Sequence, residues 1–182
     1  DHAPLLPYYE RQFRDDALVR TVHYGTHIEG NELNLSQAEK VMAGQDVVGR
    51  ERDIQEVINY RKAMDFINDK GLIINDELIK KLHKITVNKI LPEEKSGEYR
   101  KTSVVIKNNQ TGKVSFRPPE AQFVERHVND LLAFISAKSG TVQNPTKQNQ
   151  DIHPVLRSGI VHYELVRIHP FVDGNGRVGR AL

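Results

Sequence analysis

The chain has 182 residues, no cysteine, 38% hydrophobic and 27% charged residues, and a net charge of +2 from 26 basic against 24 acidic side chains. These values suit one soluble domain with a sizeable core, exclude disulfides and thiolate metal sites, and give no electrostatic case for nucleic acid. No apolar run approaches the roughly 18–20 residues of a membrane helix, so no membrane partner is expected, and with no export signal in view the cytoplasm is the expected location.

After Pro4 and Pro7, the stretch from Tyr8 to Arg20 reads as helical, and Val19, Val22 and Thr26 carry the periodicity on to a stop at Gly30 or Asn31. Asn34 marks a turn. Ser36 and Glu39 have the spacing of a capping box, which starts a helix over Ser36–Met42 that ends before the Gly44 loop. Glu51 to Ile67 is the clearest helix, with a stripe of Ile54, Val57, Ile58, Arg61 and Phe66. Asp76 is placed to cap the next helix, Glu77 to about Ile90, with Leu78, Ile79, Leu82 and Ile85 inward and His83 among them as a core or surface histidine.

Beyond the 91–97 loop the character changes. Glu98 to Ile106 is rich in β-branched residues, residues 107–112 carry turn chemistry, and Lys113 to Phe116 returns as a second strand before Pro118 and Pro119. Pro119 to Ile135 reads as a helix with Phe123, Val124, Val128 and Leu131 on one side, and Lys138 to Asn149 as a polar surface loop. His153 and Pro154 open a helix to about Val166, bearing His162 and Glu164, with Arg167 after them. A zinc set of His153, His162, His169 and Asp173 lacks the spacing of a helical metal motif.

The chemistry is concentrated between Ile168 and Arg180. Gly174 and Gly176 free the backbone for a tight turn around Asn175, whose amide can donate. A glycine turn feeding a helix presents unpaired N–H groups and the positive dipole end to an anion. Arg177 and Arg180, three residues apart, share one helix face and add forked donors for phosphate. His169 is suited to take a proton from a hydroxyl, and Asp173 to hold Mg²⁺ against phosphate oxygens. Phe171 is assigned to packing. The alternative is a capped turn with solvated arginines.

The run His169-Pro-Phe-x-Asp-Gly-Asn-Gly-Arg-x-x-Arg180 resembles the signature of Fic-domain proteins. The resemblance implies transfer of AMP from ATP to a Ser, Thr or Tyr hydroxyl of a target protein, with ATP as substrate and Mg²⁺ as cofactor. It assigns His169 as catalytic base, Asp173 as metal ligand, and Gly174, Asn175, Gly176, Arg177 and Arg180 to the nucleotide. It also implies that Val104, Val105, Ile106 and Lys107 form a flap that docks the target by strand addition. Gly176, where kinase-active relatives carry Lys, favours the AMP-transferring branch.

The stretch Ile28-Glu29-Gly30-Asn31 resembles the end of the family's inhibitory helix, although Gly25 stands where the family has Ser or Thr. Glu29 is then expected to pair with Arg180 and occupy the arginine meant for the terminal phosphate. The expected fold is mainly α: a helical bundle around the signature loop and helix, with one β-hairpin flap. The expected organisation is one domain over 1–182, with an inhibitory region over about 1–45 and a core over about 50–182 that continues past Leu182. Two alternatives accompany this reading: removal of AMP from a target with Glu29 catalytic, and a nucleotide-binding regulatory module joined to a DNA-binding domain past Leu182. A homodimer is compatible with each.

Overall fold

The computed structural model describes residues 6–68, 72–108, 111–137 and 152–182. The expected loop from Lys138 to Asn149 lies outside them. Among the described residues the fold is mainly helical with one small hairpin, as expected. Its elements are α1 (Pro7–His27), α2 (Leu35–Met42), α3 (Glu51–Ile67), α4 (Asp76–Thr86), β1 (Ile106–Lys107), β2 (Val114–Phe116), α5 (Val124–Ser136), α6 (Pro154–Ile168) and α7 (Asn175–Ala181), with short 3₁₀ turns at Glu93–Lys95 and Ala121–Phe123. No described helix is long and apolar enough to cross a membrane.

Helix α3 is the hub of one half, packing on α1, α2 and α4, while α7 is short and touches α1, α3, α4 and α6. The core runs through Val22, Val57, Leu82, Leu165, Phe171 and Val178, all at or near zero exposure. The signature helix therefore sits inside the bundle.

Two caps differ from expectation. Asn34, not Ser36, caps α2, with Asn34 and Gln37 exchanging side-chain and backbone bonds of 2.9 and 3.0 Å. Asn75, not Asp76, caps α4 by accepting from the Leu78 N–H at 2.8 Å. Several capping residues stand near each helix start, and the one whose oxygen reaches an orphan N–H sets the boundary.

Helix α4 also stops at Thr86, short of Ile90. There Asn59 of α3 donates to the carbonyls of Thr86 at 3.2 Å and Asn88 at 2.7 Å, capping the end from outside. The buried face of α3 is correspondingly polar, including Asp53, Glu56 and Asn59 beside Val57 and Tyr60. Ile54, Ile58 and Phe66 pack only partly against the core.

The hairpin is smaller than expected. Ile106 pairs with Phe116 and Lys107 with Val114 across an irregular, antiparallel register. Val104 and Val105 precede the paired residues and belong to no strand. Their β-branched composition suits a strand, but no strand among the described residues takes up their backbone groups. Phe123, expected inward, is 44% exposed on the turn before α5.

Candidate active site

Helix α6 ends where the chemistry begins. His169 caps it in the left-handed region, φ 51° and ψ 58°, an uncommon conformation for a residue with a side chain. The following proline disfavours the right-handed α conformation and helps end the helix. His169 Nδ1 lies 3.4 Å from the Val166 carbonyl, an arrangement that leaves Nε2 as the proton acceptor. Burial is the main influence on this imidazole and lowers its pKa. The Val166 carbonyl pushes upward, Arg100 pushes downward, and Glu29 and Asp173 push upward without reversing the net shift. The ring is thus neutral at pH 7, as a base requires.

The loop behind it is tied from within. Phe171 is fully buried, and its ring stacks on His83 at 3.8 Å and 2°. His83 accepts from the Gly97 N–H through Nδ1 at 2.8 Å, so its Nε2 carries the proton donated to the Asp173 carbonyl at 3.0 Å. Burial drives the His83 pKa down to about 4, which keeps this tautomer neutral. Asn175 uses its amide inside the loop, accepting from Phe171 N at 2.9 Å and donating to Phe171 O at 2.8 Å. The amide expected to be free to donate is thus engaged within the loop; Asn175 shapes that loop, and its peptide N–H belongs to the first turn of α7. Gly174 sits at φ 78°, and a Cβ there would lie 2.9 Å from Val87 Cγ1, so conformation and space both require glycine.

Asp173 is held at both oxygens: Oδ1 accepts from Gly174 N at 2.6 Å and Oδ2 from Arg52 Nη2 at 2.7 Å. Burial alone would raise its pKa, but the Arg177 charge, the Gly174 N–H and Arg52 outweigh it and hold the group below its ordinary value. No cluster of three or more metal-ligating side chains occurs among the described residues. One ionised, partly exposed carboxylate beside a helix N-terminus still fits Mg²⁺, which takes one or two carboxylates and fills its shell with phosphate oxygens and water.

The two arginines do not share one open face. Arg177 is 1% exposed and reaches Glu56 at 3.1 Å and Asp173 at 3.3 Å. These contacts brace the loop from below. Arg180 is the accessible one: its Nη2 binds Glu29 Oε1 at 2.8 Å and the Gly25 carbonyl at 2.8 Å, and its Nε is buried without a partner among the described residues. The expected Glu29–Arg180 pair is thus present.

Gly25, the departure from the family's Ser or Thr, has a local cause, because a Cβ there would collide with the Tyr60 ring. A Cβ on Gly176 would likewise collide with the Glu29 carboxylate, which rests against the signature backbone. Asn31 fixes the turn after Glu29, donating to Asp53 O at 2.9 Å and Glu56 Oε2 at 3.1 Å.

The sequence reading did not include Arg52 or Glu56, gave Asn31 no bonding role and Arg100 no partners, and took His83 as a core or surface histidine. A polar residue repeated on a buried helical face, as at Asp53, Glu56 and Asn59, was the available signal for Glu56.

The Fic/DOC family model matches residues 73–182, more than half of the chain, ending in this signature. The chain belongs to the Fic/DOC family. It is 29% identical over 177 residues to a Drosophila grimshawi protein named protein adenylyltransferase Fic, covering 94% of this chain and 33% of that one. A Caenorhabditis elegans protein named protein adenylyltransferase fic-1 is 30% identical over 168 residues, covering 88% and 30%. The chain therefore spans about a third of the length of the curated relatives it matches. A Fic family protein from Desulfovibrio desulfuricans superposes with a TM-score of 0.73 at 30% identity, over 97% of this chain and 48% of that one. A Fic domain containing signaling protein from Bacteroides thetaiotaomicron, at 24% identity and 65% of its length, shares the fold with a TM-score of 0.81 over 98% of this chain.

Proposed function

We propose that this chain carries the catalytic domain of a protein adenylyltransferase, which moves AMP from ATP to a hydroxyl of a target protein and is held off by Glu29. The observation that carries the reading is the 2.8 Å Glu29–Arg180 pair set beside the neutral His169 and the ionised Asp173. An enzyme of this chemistry needs a base, a metal carboxylate and a cation for the terminal phosphate. The last of these is occupied by a carboxylate of the same chain.

In the reaction, His169 Nε2 takes the proton of the target hydroxyl as its oxygen bonds to the α-phosphorus of ATP. The bond from that phosphorus to the bridging oxygen breaks, and pyrophosphate leaves with the electron pair. The first-turn N–H groups of α7 stabilise charge on the transferring phosphate. Arg180, freed from Glu29, holds the terminal phosphate, while Arg177 keeps Asp173 in place from below. Asp173 would hold Mg²⁺, which supplies charge neutralisation on the phosphates and the leaving group. Curated relatives named as adenylyltransferases, and an intact signature from His169 to Arg180, support this assignment. The exposed strand pair is proposed to dock the target.

Purified protein incubated with α-labelled ATP and Mg²⁺ tests it. Strong label in Glu29→Gly, weak label in wild type and none in His169→Ala is expected. Loss of label in Glu29→Gly relative to wild type would overturn inhibition and make the glutamate a participant in turnover.

A further inference from the structure

Arg100 is a buried charge that this reaction leaves without a task. Its residue exposure is 3%, and it forms no ion pair among the described residues. Its donors meet main-chain carbonyls instead. Nε donates to His169 O at 2.8 Å, Nη1 to Thr102 O at 3.0 Å, and Nη2 to Pro119 O at 2.6 Å and, at longer range, Ile168 O at 3.4 Å. Its backbone N–H adds Pro170 O at 2.9 Å. Burying a cation away from any carboxylate is costly, and carbonyl dipoles offset that only in part.

The carbonyls fall into two sets. Those of Ile168, His169 and Pro170 belong to the turn that sets His169 in the left-handed region. Those of Thr102 and Pro119 belong to the two stems of the hairpin, one before β1 and one after β2. An arginine fork spans such a set because its five donors point in fixed directions, whereas a lysine offers three from one point.

Resting on the adenylyl-transfer reading above, we propose that Arg100 is a positioning residue that clamps both stems of the flap to the turn carrying His169. A target segment docked on the flap then arrives at a fixed offset from the base. The clamp also leaves a permanent positive charge near the imidazole. The other charged groups acting on that ring are Glu29 from the end of α1 and Asp173 from the signature loop, both of which favour its protonated form, as does the Val166 carbonyl of α6. Arg100 opposes them.

The test uses Arg100→Lys and Arg100→Gln, each in the Glu29→Gly background. It reads amide hydrogen exchange, the His169 imidazole titration by NMR, and transfer kinetics. In both variants, exchange is expected to rise together in residues 102–107 and 168–172 while the Kd for ATP changes less than about twofold. The kcat is expected to fall by roughly 10- to 100-fold, as for a base displaced by a fraction of an ångström. Removing the charge in Arg100→Gln raises the His169 pKa and moves the acid limb of the rate profile to higher pH; Arg100→Lys keeps that limb in place and loses only the geometry.

Exchange that rises in one segment alone, an unmoved imidazole titration in Arg100→Gln, or full kcat in Arg100→Lys would overturn the clamp. If Glu29→Gly transfers no AMP yet both segments loosen and the imidazole shifts, the clamp stands and the transfer reading falls.

Discussion

Arg177 and Arg180 lie one turn apart on the same short helix and meet different fates. Arg177 is 1% exposed, wedged between Glu56 at 3.1 Å and Asp173 at 3.3 Å. Arg180 keeps 22% of its side chain accessible, and its partner Glu29 keeps 38%. A buried pair whose members have already lost their water resists opening, because removing one partner strands the other. An exposed pair forms and breaks at little net cost. The signature thus holds one arginine as a fixed brace and the other as an exchangeable contact, and only the second suits a ligand that must come and go.

The largest effect is expected where the brace is removed. Arg177→Ala leaves Glu56 buried with diminished compensation, and urea or thermal denaturation is expected to show a loss of about 3 kcal/mol, or a Tm lower by roughly 10 °C. Next is the ring beneath the loop. His83→Ala removes the stack on Phe171 and leaves Gly97 N–H and Asp173 O unpaired, for about 2 kcal/mol in the same measurement. Breaking the exposed pair should scarcely register: Glu29→Gly is expected to change stability by less than about 1 kcal/mol. A loss as large as that of Arg177→Ala would erase the distinction between the two arginines.

The smallest effect concerns Arg52, whose 2.7 Å bond to Asp173 competes with a divalent ion for the same oxygen. Arg52→Ala is expected to lower the Mn²⁺ concentration for half-maximal binding with ATP by roughly two- to fivefold, followed by electron paramagnetic resonance. Asp173→Ala should abolish that dependence.

Much of this division was legible in the residues, and its limits are physical. The order His169 to Arg180 announced the proposed base, the carboxylate and the arginines, and Glu29 could be paired with Arg180 across 151 positions of sequence because both belonged to recognisable motifs. Helix α3 was legible to its end residues, since seventeen positions of helical pattern leave little ambiguity. The separate fates of Arg177 and Arg180 were not. Spacing on a helix gives a shared face, but which arginine is buried depends on Glu56 reaching it from α3 and Asp173 from the loop before α7. The contacts of Arg100 were hidden for a similar reason: its partners are carbonyls, which every residue has and no sequence pattern marks. At Val104 and Val105 strand composition overstated the strand, since no strand among the described residues pairs with them.

The exchangeable contact is tested most directly by calorimetric ATP affinity in wild type, Glu29→Gly, Arg180→Ala and the double variant. Competition between Glu29 and phosphate for Arg180 predicts tighter ATP binding in Glu29→Gly and no such gain when Arg180 is already absent. An equal gain from Glu29→Gly with and without Arg180 would contradict it, because the glutamate would then act on the nucleotide by some route other than the arginine it touches.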